Sequence, residues 1–353
     1  ERPNRFTLIC NIKGTLQKAY LPNPGRLWEL LLPGARVFLE NKSRGFTVWA
    51  TEKKGHIIML HTHYTNKLAE ALIRDGAIPS LKGCRIKDKE VTLGHSRIDL
   101  LISNKDKTYP LEVKSCTLFG KKIAMFPDAV SKRATRHLYT LSEHNGMVLF
   151  VVQSPEPEAF LPEFHIDPEF SSTLYTLRTS VRPLAISIRW DEKLRFQFVD
   201  ELYIPWHIYE QESHDRGIYM LVLEFPEPIN LLIGSLGSLH FQRGYYIYAG
   251  SGKKALSKRI VRHLRRPKKT HWHIDHLTEV ARKITPIPIR TSTLTECDLA
   301  ETLGTIFERV HGFGSSDCQC QGHLFYSPEN PFRRPAFVDT IIDFRINTLE
   351  RFL

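Results

Sequence analysis

A chain of 353 residues is long enough for two or three domains, and its 42% apolar and 25% charged shares are those of an ordinary globular protein. No run of about 18 apolar residues occurs, which excludes a helical membrane span, and no membrane partner is expected. A formal net charge of +11 favours polyanions, nucleic acid first.

The six cysteines, at 10, 84, 116, 297, 318 and 320, are scattered rather than laddered, so a reducing cytoplasm is the expected compartment. The opening text ERPNRFTLIC lacks a secretory pattern. Residues 1–65 read as short strands (FTLICNI, ARVFLEN, FTVWATEK, HIIMLHTH) interrupted by LPNPGRLWELLLPG, which predicts a small β-barrel. NKLAEALIRD has helical spacing, with Asn66 as cap and Gly76 as stop. SRIDLLISNKDKTYPLEVKS then reads as a hairpin, and PDAVSKRATRHLYTLSEHNG as a helix opened by Pro127 and closed by Gly146. MVLFVVQ has the continuous apolar character of a buried strand, so the order is α/β. SIRWDEKL and RFQFVDEL form a closing hairpin. The polar stretch WHIYEQESHDR marks a domain boundary, with residues 207–216 as linker. Beyond it come two strands, GIYMLVLEF and GYYIYAGS, a basic helix, ALSKRIVRHLRR, and two further helices, HWHIDHLTEVARK and DLAETLGTIFERV.

The hairpin carries the first constellation. If it closes on Asn104 to Lys107, Asp99 lies across from Glu112, Leu100 from Leu111 and Ile98 from Val113. Arg97, Asp99, Leu101, Glu112 and Lys114 then share one face, over an apolar floor of Ile98, Leu100, Ile102, Leu111 and Val113. Two carboxylates and an ammonium so placed can hold a hard divalent cation and a water beside a phosphate. The plainer alternative is a cross-strand salt bridge. Glu70, on the polar side of the preceding helix, is a candidate third carboxylate. Arg133, Arg136 and His137, on the following helix, are candidates for contact with a phosphate backbone.

Asp99 with Glu112-x-Lys114 resembles the PD-(D/E)xK nuclease motif, with Ile98 in place of the usual proline. The wider text LPNPGRL, NKLAEALIRDGAIP, SRIDLLI, LEVKSCTL and FPDAVSKRATRHL resembles the sugar fermentation stimulation protein A family across roughly residues 1–206. The resemblance implies an OB-like barrel at 1–65 and a nuclease-type α/β domain at 66–206, with DNA binding and DNA or RNA cleavage. It further implies that Glu70, Asp99 and Glu112 hold Mg2+ or Mn2+, that Lys114 orients water or stabilises phosphorane charge, and that Arg26 contacts nucleic acid.

The second constellation is Gly217-Ile218-Tyr219, Tyr248-Ala249-Gly250, then Arg259 and His263 four apart on one helix face. Glu301 is a candidate metal ligand in a later helix, although strand tyrosines are most simply packing. The arrangement resembles the GIY-YIG nuclease superfamily over residues 217–344, followed by a tail at 345–353. The resemblance implies that Tyr219 and Tyr248 line the site, one phenol helping to deprotonate water, with Arg259 on the phosphate and Glu301 on the metal. Ala249 departs from the usual isoleucine, and the loop LLIGSLGSLHFQRG is longer than the motif needs. Between Ser251 and Thr270 stand nine Lys or Arg and no acidic residue. Of these, Lys253, Lys254, Lys258, Arg262, Arg265 and Arg266 are expected to track a nucleic-acid backbone.

Weaker signals remain. Cys318, Cys320 and His323 invite a zinc reading, but Cys-x-Cys is too tight and a fourth ligand is missing, so buried thiols near a turn are preferred. His271, His273 and His276 read as exposed positions on a packed amphipathic element. The expectation is therefore a multidomain metal-dependent nuclease acting on DNA or RNA. Its rival is a non-catalytic DNA-binding regulator of sugar-utilisation genes.

Overall fold

Short alternating segments at the start of the chain fold as two hairpins. In a computed structural model describing residues 1–43 and 45–353, β1 (Thr7–Ile12) pairs antiparallel with β2 (Thr15–Tyr20), and β3 (Val37–Lys42) with β4 (Gly45–Lys53). β5 (His56–Met59) adds to β4, and β2 meets β4 in parallel through only Ala19–Phe46 and Tyr20–Thr47. That junction is too brief to wrap the sheet onto itself. Among the described residues the strand path β1-β2-β4-β3, with β5 on β4, stays open rather than closing as the expected barrel.

Next come α1 (Thr62–Arg74), β6 (Arg85–Leu93), β7 (Ser96–Asn104), β8 (Lys107–Cys116), the short β9 (Leu118–Phe119) and β10 (Ile123–Phe126). α2 (Lys132–Glu143), β11 (Met147–Val152), β12 (Ala159–Pro162), α3 (Pro168–Leu177), β13 (Arg182–Trp190) and β14 (Phe196–Glu201) follow. They build a six-stranded sheet, β14-β13-β11-β8-β7-β6, beside the small sheet β12-β10-β9. β8, β11 and β13 are parallel neighbours with α2 and α3 in the crossovers, and β11 is buried on both faces. Leu8, Val48 and Leu60 from the first sheet share one core with Ile98, Ala134, Leu138 and Phe150.

Two helix starts differ from the expectation. α1 begins at Thr62, so Asn66 is inside the helix rather than its cap, and its amide is free to bond elsewhere. α2 begins after Ser131, not Pro127, because the Ser131 hydroxyl accepts from the Ala134 amide, a terminal N–H that proline cannot satisfy. The expected linker is also ordered, holding α4 (Trp206–Glu212). The chain divides into Glu1–Tyr209 with Leu349–Leu353, and Glu210–Thr348. The end of the predicted tail thus groups with the first unit, where Glu350 accepts from the Lys122 amide at 2.9 Å.

The second unit contains β15 (Gly217–Phe225), the ribbon β16 (Ile229–Leu232) and β17 (Ser238–Phe241), and β18 (Gly244–Gly252). Then come α5 (Leu256–Leu264), α6 (His273–Val280), β19 (Lys283–Arg290), α7 (Glu296–Gly304), β20 (Glu308–Val310), β21 (Leu324–Ser327) and α8 (Pro335–Arg345). The main sheet runs β19-β15-β18-β21-β20. α7 starts and stops earlier than predicted. Thr295 and Asp298 cap each other's amides at its start, and the expected tail of that helix is instead β20.

Candidate functional site

Alternation and the tight turn set the β7–β8 register as expected, with Asn104 opposite Lys107 and Leu100 opposite Leu111. The paired register ends there. Beyond it side chains replace the ladder: Asp99 Oδ2 accepts from Val113 N at 2.8 Å, and Asp99 N donates to Glu112 Oε2 at 3.3 Å. The expected Ile98–Val113 pairing is absent because Asp99 occupies the gap between the strands. Its other oxygen accepts from Asn66 Nδ2 at 2.7 Å.

Glu112 is 2% exposed. Its Oε1 accepts from Lys114 Nζ at 2.6 Å and from His137 Nδ1 at 2.7 Å, while Arg133 Nε donates to His137 Nε2 at 3.4 Å. His137 is therefore a buried support for the carboxylate and not the surface phosphate contact that its helix position implied. Arg133 and Arg136 are exposed on α2. Arg26 is half-buried with its guanidinium 5.0 Å above Trp28. Glu70, one turn beyond Asn66 on α1, is engaged by Lys89 and, at 3.3 Å, by Arg74.

The two carboxylates differ in acidity. Burial, then the charge of Glu112, pushes Asp99 up to about 6. Burial alone would also raise Glu112, but His137 and Lys114 overcome it and hold Glu112 at about 2. An oxygen pair with one member raised by burial and by its neighbour's charge suits a hard divalent cation, whose charge would offset both. The donor set fits Mg2+ or Mn2+, which Asp99 and Glu112 would hold.

A pH dependence follows. Between about pH 4 and 6 the folded chain keeps an Asp99 proton that the unfolded chain has released, so this group's contribution to stability falls as pH rises through that window. Glu112 acts oppositely: its contribution is present above the ordinary carboxylate value and is lost as pH falls toward 2. A cation must displace the Asp99 proton. Mn2+ affinity at this site is expected to fall about tenfold per pH unit below 6, with Asp99→Asn removing that dependence; titration calorimetry from pH 5 to 8 checks both.

In the second unit, β15 and β18 pair Tyr219 with Gly250 and Leu221 with Tyr248, which brings the tyrosine rings to 6.3 Å. A Cβ at Gly250 would sit 2.6 Å from the Tyr219 oxygen, so glycine is required where the phenol crosses. Tyr219 and Tyr248 line a cavity of about 800 Å3 together with Lys253, Lys254, Lys258, Arg259, Arg262, His263, Trp272 and Glu296. Burial pushes Tyr248 up to about 12 and Tyr219 well above its usual value, so both phenols stay protonated at neutral pH. The Tyr219 hydroxyl is 2.8 Å from His263 Nε2, and desolvation keeps that imidazole below its ordinary pKa.

Not every basic residue faces outward. Arg262 forms a two-pronged pair with fully buried Asp275 at 2.9 and 2.8 Å and lies 4.1 Å over Trp272, while Arg266 Nη2 donates to Ala281 O at 2.6 Å. Arg262 is thereby committed to local structure, whereas Arg266, although anchored by that one bond, is exposed. Lys253, Lys254, Lys258 and Arg265 are exposed, and Arg259 sits 4.3 Å over Trp272 at the cavity wall.

Glu301 does not line this cavity; it borders a different hollow with Arg309 and Cys320. Two carboxylates do line the cavity, Asp317 and Glu296, and Glu296, in the first turn of α7, accepts from Ser251 Oγ at 2.8 Å. The Thr295–Asp298 cap was the sequence signal that could have placed it. In a Glu112→Ala background, any cleavage that remains is expected to fall about 10²-fold with Glu296→Gln and to stay within about twofold with Glu301→Gln; steady-state cleavage rates decide between them.

An α/β sheet with Asp and Glu-x-Lys on adjacent strands, preceded by an OB-type domain and followed by a unit with a basic cavity, defines a nuclease-like multidomain protein. Family models match accordingly: the SfsA N-terminal OB domain at residues 1–60, the sugar fermentation stimulation protein RE domain at 63–194, and the domain of unknown function DUF123 at 218–344. The chain belongs to the sugar fermentation stimulation protein family. It is 35% identical to the homologue from Methanothermobacter thermautotrophicus over 219 residues, 54% of this chain and 91% of that one. It is also 35% identical to the Moorella thermoacetica homologue over 210 residues, 53% of this chain and 90% of that one. A solved structure of Pyrococcus furiosus SfsA in complex with Ca2+ is similar at 29% identity and a TM-score of 0.54, covering 57% of this chain and 92% of that one. No helix among the described residues is long and apolar enough to cross a membrane.

Proposed function

We propose that this chain is a divalent-metal-dependent nuclease hydrolysing phosphodiester bonds in DNA or RNA, with its principal site on β7 and β8. The observation that carries the reading is the unequal carboxylate pair, Asp99 raised and Glu112 lowered, with Lys114 Nζ held on Glu112 at the edge of the buried region. Bound Mg2+ or Mn2+ would polarise the scissile phosphate and acidify a water. Asp99 and Glu112 would supply its protein ligands. Lys114 would orient the nucleophile or counter charge developing on phosphorus, while His137 fixes Glu112 from behind. The Ca2+ complex of the similar Pyrococcus furiosus protein supports a divalent cation as the partner of this fold.

The basic cavity of the second unit is proposed as a second phosphodiester-directed site. Exposed Lys253, Lys254 and Lys258 would track the backbone, with Arg259 on the phosphate and Glu296 in place of Glu301 on the metal. Since both phenols stay protonated, neutral His263, bonded to the Tyr219 hydroxyl, is the better proton acceptor.

Purified full-length chain is incubated with single- and double-stranded DNA and RNA in Mg2+, Mn2+ or EDTA, beside Glu112→Ala, Lys114→Ala, Arg259→Ala and Glu296→Ala. Cleavage that needs metal and is lost with Glu112→Ala or Lys114→Ala supports the first site. Cleavage surviving both removes that site from the mechanism, and binding without cleavage in every metal favours the DNA-binding regulator.

A further inference from the structure

The loop between β20 and β21 ends beside the first turn of α7, and three thiols and an imidazole converge there. Cys297 is the second residue of α7, Cys318 and Cys320 belong to the loop, and His323 directly precedes β21. Their donor atoms all lie within 4.8 Å of one another, and among the described residues this is the one such gathering of three or more His, Cys, Asp or Glu side chains. Cys318 Sγ is 3.4 Å from His323 Nε2 and Cys297 Sγ is 4.0 Å from it. A tetrahedral zinc with Zn–S of about 2.3 Å and Zn–N of about 2.0 Å puts sulfur and nitrogen about 3.5 Å apart, and two sulfurs about 3.8 Å apart. The Cys318–His323 edge already has that length, and the remaining donors, within 4.8 Å of one another, need only small side-chain shifts to close on a metal.

Backbone hydrogen bonds hold the loop, so the donors converge on a framed position. Gly312 N donates to Gln321 O at 2.7 Å, His323 N to Phe313 O at 2.8 Å, and Ala249 N to His323 O at 2.9 Å. Gly314, at φ +71°, lies where a Cβ would come 2.9 Å from Tyr248 Cε2. Cys-x-Cys is tight, yet both thiols reach the same point as His323, which leaves only the fourth ligand to find. Cys297, from a distant helix, supplies it.

We infer that Cys297, Cys318, Cys320 and His323 form a structural zinc site of the Cys3His class, which ties the β20–β21 loop to the start of α7. Four protein ligands close the coordination sphere, so the site is a staple and not a catalytic centre. Three soft thiolates with one imidazole select zinc over the hard cation of the carboxylate pair. Binding releases the thiol protons. The staple fixes one wall of the basic cavity, since Glu296 is adjacent to Cys297, and Asp317 and His323 both line that wall. The site stands whether or not either unit cuts nucleic acid.

The test uses full-length chain purified without chelator, with metal measured by mass spectrometry. One equivalent of zinc per chain is expected, with Cys84→Ser retaining it and Cys318→Ser and Cys320→Ser weakening zinc retention at least about 10²-fold. Exchange with Co2+ is expected to give the intense visible bands of a tetrahedral site and thiolate-to-cobalt charge transfer, and His323→Cys to retain the metal while shifting those bands. Six free thiols are expected after zinc is stripped under denaturing conditions. Failure of the reduced chain to take up zinc, an octahedral cobalt spectrum, or a disulfide among Cys297, Cys318 and Cys320 in the freshly purified chain would overturn the assignment.

Discussion

Replacing Glu112 with glutamine in an Arg259→Ala background is expected to cut metal-dependent cleavage on the order of 10³-fold while leaving nucleic-acid binding within a few-fold. Arg259→Ala silences the second unit so that residual cutting reports on the first. Glutamine keeps the shape of the side chain and its contact with His137, but it removes the charge that a cation needs. It also leaves Lys114 without its buried anion, so a loss of stability accompanies the loss of rate. Thermal melting run beside the kinetics separates the two. A variant that melts below the assay temperature is assayed on the cold side of its transition, where the rate loss should persist. Full activity in a folded Glu112→Gln chain would refute the assignment.

The second large effect concerns Asp275, which receives Arg262, the amides of His271 and Trp272, and at 3.6 Å the Lys268 ammonium. Burial alone would raise this carboxyl, yet Arg262 and the two amides hold it far below the usual carboxylate range. His263 Nδ1 lies 3.7 Å from it, beyond a good hydrogen bond. Removing the anion strands Arg262 and Lys268 in a region built around its charge. Asp275→Ala is expected to destabilise the second unit by about 3 to 5 kcal/mol, the usual consequence of deleting one member of a buried pair. Urea unfolding followed by Trp272 fluorescence reads this out, with Trp28, Trp49, Trp190 and Trp206 replaced by phenylalanine. An Arg262→Ala/Asp275→Ala double variant should recover part of the loss, because both charges are then absent.

Much of this was legible in the text of the chain. Period-two alternation and a short turn placed Asp99 and Glu112 together, because a slip by one residue would turn every apolar side chain of the hairpin into solvent. What sequence could not show was the end of the ladder at Leu100, since side-chain oxygens replacing backbone partners leave no periodic trace. In the sequence Glu70 reads as a third carboxylate and Asn66 only as a helix cap. The earlier helix start aims Asn66 at Asp99, while Lys89 and Arg74 claim Glu70. His137 resembled its surface neighbours Arg133 and Arg136, yet residue 137 falls on the buried stripe with Ala134 and Leu138. Glu296 and Cys297 were missed for one shared reason: α7 was begun two residues late, and its first turn carries both.

The common interior of the first sheet and the α/β layer bears on how this chain must be handled. Family descriptions divide between residues 60 and 63, but Leu8, Val48 and Leu60 interlock with Ile98, Leu138 and Phe150 across that line. The seam is a division of nomenclature and not of cooperativity. Residues 1–60 expressed alone are expected to expose that shared interior and collapse into a loose, dye-binding state, whereas residues 1–209 with the closing segment Leu349–Leu353 are expected to melt in one transition.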